Sequence, residues 1–110
     1  MQIEKSVTDG VTVLRCDGRL TMVAAPALRS AVEEAIGGGA RRLVVDLSTA
    51  PFVDSSGLGA LVNGLKAARV AGGDLRIAGA SEQVLSVLSL TNLDRVLKPY
   101  AGVAEARDGW

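Results

Sequence analysis

Three features of this 110-residue sequence predict an α/β fold. Asp9-Gly10 separates two β-rich segments, the pattern of a tight antiparallel hairpin. Leu43-Val44-Val45-Asp46-Leu47 is a mostly apolar run of strand length, as expected for a strand covered on both faces of a parallel sheet. Segments with apolar residues at helical spacing, most of them closed by glycines, alternate with the remaining strands. The resulting order, β-β-α-β-α-β-α-β, describes one domain over residues 1–110 with a mixed four- to five-stranded sheet flanked by helices.

The hairpin pairs Gln2–Thr8 with Val11–Cys16. Cys16 is expected to pack on the sheet rather than react, since no cationic neighbour is implied to lower its thiol pKa. Asp17 to Thr21 forms a loop into a helix from about Val23 to Ile36, with Pro26 suited to its first turn. Ala25, Leu28, Val32, Ala35 and Ile36 make its core face, and Gly37-Gly38-Gly39 ends it. Arg41–Leu47 is the central strand and Ser48–Asp54 its following loop. The next helix runs towards Arg69 with Leu58, Leu61, Val62, Leu65 and Ala68 inward. Its other face, Gly59, Asn63, Lys66, Ala67 and Val70, is sparse in charge for a solvated surface. After Gly72-Gly73, Asp74–Ala78 is a strand; Ser81 caps a helix from Glu82 to about Leu90, with Val84, Leu85 and Leu88 inward. Arg95–Lys98 is expected as a last short strand, Ala101–Arg107 as a terminal helical turn, and Asp108-Gly109-Trp110 as a frayed end.

Composition removes whole classes of function. The single Phe, single Trp and single Tyr leave an aliphatic core. Twelve basic residues balance twelve acidic ones without a basic run, which argues against direct nucleic-acid binding or a polybasic membrane patch. The apolar runs are too short for membrane insertion, and Met1–Lys5 lacks the apolar segment of a signal peptide, so a cytoplasmic location is expected. The absence of histidine excludes Ser-His-Asp and Cys-His catalysis, and one thiol cannot build a zinc site. No cofactor is expected.

The turn from Asp54 to Gly59 is where chemistry concentrates. A helix start presents unpaired N–H groups at its positive end, and small residues allow close approach. Asp54 or Ser55 can act as a helix N-cap, but one cap leaves Ser56 unexplained. A nucleophile elbow fails because Ser55 and Ser56 follow Val53 and Asp54 rather than glycine, and no base exists. Gly57, Gly59 and Gly64 miss the spacing of phosphate-binding loops. The remaining reading makes Ser56 a substrate. Phosphate there adds about −1.5 to −2 charges, tolerated at a helix N-terminus and disruptive in an interface with acidic or apolar groups.

At these residues the sequence resembles a known family. Asp54-Ser55-Ser56-Gly57-Leu58-Gly59, after the Val44-Val45-Asp46-Leu47 strand and Phe52-Val53, looks like the signature of anti-sigma factor antagonists of the STAS domain family. The likeness extends from the hairpin through Gly72–Ile77 to Leu90-Thr91-Asn92-Leu93. The resemblance implies a non-enzymatic regulator that binds an anti-sigma factor, itself a serine kinase, and so frees a sigma factor. It implies phosphorylation of Ser56 as the off-switch, with a serine phosphatase restoring binding. The implied partner surface comprises Thr21, Asp54, Ser55, Ser56, Gly57 and Gly59, together with Asn63 and Lys66 on the helix. One departure stands out: the family commonly reads Gly-Glu-Leu-Asp where this chain has Gly18-Arg19-Leu20-Thr21. Thr21 thus replaces the acid expected beside the serine, and is read either as a helix cap or as altered kinase recognition. Two other readings remain: a STAS regulatory subunit of a membrane transport system, and a nucleotide-binding sensor.

Overall fold

Asp9 and Gly10 both take positive φ, 52° and 77°, as the two-residue turn between antiparallel strands requires. They join β1 (Gln2–Thr8) to β2 (Val11–Asp17), with Thr8 opposite Val11 and Gln2 opposite Asp17. The computed structural model, which describes residues 1–108 and 110, continues through α1 (Ala25–Gly37), β3 (Arg42–Thr49), α2 (Ser55–Val70), β4 (Asp74–Ala78), α3 (Glu82–Leu90), β5 (Pro99–Tyr100) and α4 (Val103–Arg107). The five strands lie in the order β1-β2-β3-β4-β5. Only the β1–β2 pair is antiparallel; the other three pairs are parallel. Each parallel pair is bridged by a helix, the crossover that parallel strands need.

Strand alternation divides the core. Leu14 and Cys16 of β2, Leu43, Val45 and Leu47 of β3, and Leu75 and Ile77 of β4 face one way, and all are buried. Against them pack Leu28 and Val32 of α1, Leu58, Leu61 and Leu65 of α2, and Val84 and Leu88 of α3. Each fully buried aliphatic side chain contributes about 1.5–3 kcal/mol relative to exposure. The intervening residues Val11, Val13, Val44 and Ala78 form a smaller cluster on the other face, covered by Ala106, Val103, Tyr100 and Trp110. β3 is therefore buried on both faces, as its mostly apolar run predicts.

Cys16 is wholly buried, and burial, aided by the charge of Asp46, pushes its thiol pKa up to about 12. That environment keeps it a packing residue.

Four details differ from the sequence reading. α1 begins at Ala25, because Thr21 to Ala24 form a turn in which the Thr21 carbonyl accepts from the amides of Ala24 and Ala25 at 3.0 and 2.8 Å. Leu85 of α3 points outward (41% exposed); Val84 and Leu88 supply the buried face. Arg95–Lys98 is not a strand. Asn92, at φ 58°, starts a 3-10 turn over Leu93–Arg95 that delivers Leu97 into the core, and the strand forms two residues later at Pro99–Tyr100. Pro99 sits at the sheet edge, where a missing N–H is tolerated. The expected frayed end falls partly on Gly109, outside the described residues; Trp110 is half-buried, its ring 4.1 Å from the Arg76 guanidinium. Arg76 also donates to the carbonyls of Ala106 and Asp108 at 2.9 and 3.2 Å, so one arginine ties α4 and Trp110 to β4.

Candidate functional site

The carboxyl end of β3 and the start of α2 meet the loop before α1, and backbone pairing locks them together. Leu20 forms a parallel bridge with Val53; its N–H donates to the Phe52 carbonyl at 2.9 Å, and its carbonyl accepts from Asp54 N–H at 3.2 Å. Gly57 makes this approach possible. A Cβ there would collide with the Leu20 carbonyl oxygen, so glycine is the residue that lets the α1 loop lie on the first turn of α2.

Asp54 is the N-cap of α2, and both of its oxygens are used. Oδ1 accepts from Gly57 N–H at 2.8 Å, and Oδ2 accepts from Met22 N–H at 3.0 Å across the gap to the α1 loop. The Gly57 amide, with further help from Met22 and nearby amides against the opposing effect of desolvation, holds the carboxyl below its ordinary value of 3.8. The cap is therefore Asp54, and Ser55 is released from that role. Ser55 is exposed and Ser56 is half-buried at the second helical position; among the described residues neither hydroxyl is hydrogen-bonded within the protein. Thr21 acts through its carbonyl, and α1 has no side-chain cap at Ala24.

The structure thus brings Thr21, Asp54, Ser55, Ser56 and Gly57 to one end of the sheet. Gly57 is buried beneath Leu20, so its part is to shape this end. Gly59, Asn63 and Lys66 follow Ser56 at three, seven and ten residues along α2, one stripe of the helix surface. Asn63 and Lys66 are exposed, with Lys66 roughly 15 Å from Ser56 along the axis at 1.5 Å per residue. Beside this stripe, Arg29, Val32 and Glu33 of α1 and Asn63, Gly64 and Ala67 of α2 line a cleft of about 170 Å³.

Sequence reasoning missed several supports. The Gln83 side chain accepts from Val53 N–H at 3.0 Å and donates to the Val53 carbonyl at 3.1 Å, pinning the loop before Asp54 from α3. Ser81 caps α3 as expected, through Val84 N–H at 3.3 Å, and also donates to the Pro51 carbonyl at 3.0 Å. Arg19 stacks over Phe52, 4.5 Å from the ring centre. Met22 and Val23 are 70% and 87% exposed, an apolar pair beside the start of α2. Their offset from the Ala25, Leu28, Val32 spacing was the available signal for this last feature.

With this geometry in place, comparison with known proteins is informative. The STAS domain family profile matches residues 2–106, and the chain belongs to that family. A Thermotoga maritima protein named for anti-sigma factor antagonism is 34% identical over 103 residues, covering 93% of this chain and 91% of its own. The anti-sigma F factor antagonist of Paenibacillus polymyxa is 28% identical over 101 residues, covering 91% of this chain and 86% of its own. Among solved structures, an anti-sigma factor antagonist from Mycobacterium paratuberculosis superposes with a TM-score of 0.85 at 28% identity, over 96% of this chain and 89% of its own. The Bacillus cell fate determinant SpoIIAA in its phosphorylated form superposes with a TM-score of 0.72 at 26% identity, over 97% of this chain and 96% of its own. No helix among the described residues is long and apolar enough to cross a membrane.

Proposed function

We infer that this protein is an anti-sigma factor antagonist: a non-enzymatic switch that binds an anti-sigma factor acting as a serine kinase, releases a sigma factor, and is turned off by phosphorylation of Ser56. The carrying observation is the division of labour at the α2 start. Asp54 does the capping, which leaves the Ser56 hydroxyl with no role in the fold at a position half open to solvent. In the switching step a kinase transfers the γ-phosphoryl group of ATP to Ser56 Oγ; the bond to the β-phosphate oxygen breaks, ADP leaves, and the hydroxyl proton passes to a base on the kinase. A phosphatase returns the hydroxyl by hydrolysis.

The physical effect is asymmetric. At the second position of α2 the added charge lies near the positive end of its own helix, so the domain keeps its fold. In a complex the same charge must be desolvated next to the exposed Met22 and Val23 and whatever the partner lays against them. Relatives named as antagonists of anti-sigma F factor and anti-sigma-B factor support the reading, as does a structural neighbour solved in phosphorylated form. Thr21 and Arg19, where the family commonly has acids, form part of the same surface and are read as setting which kinase recognises it.

The test is to incubate the protein with ATP and each anti-sigma kinase of the source genome, then map phosphate by mass spectrometry. Phosphate on Ser56, abolished in Ser56→Ala, is the expected result. Phosphate on no residue with any of these kinases, or on Ser55 alone, overturns the switch.

A further inference from the structure

Gly59 lies three residues after Ser56, so the two are neighbours on one face of α2, with Cβ positions about 5–6 Å apart. The guanidinium of Arg29 reaches over from α1: its Nη2 is 4.0 Å from the point a Cβ on Gly59 would occupy, with no side chain on Gly59 to separate it from the helix surface. Among the described residues the ion pairs are Arg69–Asp74 and Arg107–Asp9, so Arg29 is uncommitted, although Glu33 lines the same cleft one turn along α1. An exposed guanidinium with no ion pair among the described residues therefore lies beside Gly59, the α2 residue one helical turn on from Ser56.

The geometry points to Arg29 as the intramolecular receptor of a phosphate on Ser56. A guanidinium presents paired N–H donors that match two phosphate oxygens, and pairing of this kind is stronger than a neutral hydrogen bond. The phosphoryl group is drawn along α2 towards Gly59, and Arg29 swings up to it from the mouth of the cleft. Modification then does two things to the surface at once: it places a dianion at the start of α2 and withdraws the one cation lining the α1–α2 cleft. The openness of Gly59 has a use in this arrangement, since any larger side chain stands between the two groups. The inference rests on Ser56 as the modified residue.

The experiment installs phosphoserine at position 56 during translation, without a kinase, and follows the second ionisation of the phosphate by phosphorus NMR. That pKa, about 6 for free phosphoserine, is expected to lie roughly 0.5–1 unit lower in the wild-type background than in Arg29→Gln, because a nearby cation favours the dianion. Arg29→Lys is expected in between, and Arg42→Gln, which removes the same charge at the far end of β3, should match wild type. Equal pKa values in the wild-type and Arg29→Gln backgrounds overturn the pairing, as does an equal rise in Arg42→Gln, which indicates general electrostatics. Unmodified Arg29→Gln should melt with wild type, since the side chain is exposed. Because no kinase is used, loss of the Arg29 effect leaves Ser56 as the acceptor standing, and absence of kinase labelling leaves the pairing measurable.

Discussion

Gly57 and Gly59 are two residues apart on one helix and do opposite things. At Gly57 a methyl group meets the Leu20 backbone, so Gly57→Ala must push the α1 loop off α2 or unwind the first turn. A cost of about 1–3 kcal/mol is expected from such overpacking, visible as a lowered denaturation midpoint. At Gly59 the space is open, and alanine favours the helix, so Gly59→Ala should be neutral or stabilising by up to about 1 kcal/mol. Equal losses in both variants contradict this assignment. Asp54 makes a prediction in pH. Its pKa is lowered in the folded state, so the unfolded chain binds the proton more readily; the stabilisation is present above pH 3.8 and is lost as pH falls through the lower folded value. Acid unfolding of Asp54→Asn should accordingly be less steep through that window than wild type, while at neutral pH the variant melts earlier. The acid cap and the paired serines are visible in the sequence; that Asp54 caps through Gly57 N–H while its second oxygen takes the amide of Met22, 32 residues away, is a tertiary pairing the sequence does not show.

At the level of elements, the site is a loop held from three sides: by β3 behind it, by Leu20 beside it and by α3 through Gln83 and Ser81. Gln83 mimics a neighbouring strand by engaging both the N–H and the carbonyl of Val53. Gln83→Ala removes both partners of a segment whose side chain is buried, and should cost about 1–3 kcal/mol. Amide hydrogen exchange at Val53 and Asp54 should accelerate more than at β3; a uniform acceleration across the sheet places the effect in global stability instead. The strands and helices whose pattern is local were legible in advance: the Asp-Gly hairpin, the buried β3, and the apolar faces of α1 and α2. The end of the chain was not. Arg95–Lys98 has the length and β-branched Val96 of a short strand, but Leu97 is claimed by the main core, and the preceding turn at Asn92 shifts the pairing to Pro99–Tyr100. That competition is tertiary and leaves no periodic trace.

For the molecule as a whole, the sheet has a large aliphatic core under α1, α2 and α3 and a smaller one under α4. The site lies at the end of the sheet where the first of these layers opens, so chemistry at Ser56 need not disturb either core. In the proposed switch, this separation lets a charge at Ser56 act on binding while the fold is retained, and it rests on a hydroxyl the fold does not use. The most direct measurement is calorimetric: titrate the anti-sigma factor into the unmodified protein and into the protein carrying phosphoserine at position 56, and record the thermal midpoint of each. An affinity about a hundredfold weaker in the modified form, roughly 2.7 kcal/mol, with midpoints that agree, is the predicted result. Equal affinities, or a loss of affinity matched by a loss of thermal stability, contradict it.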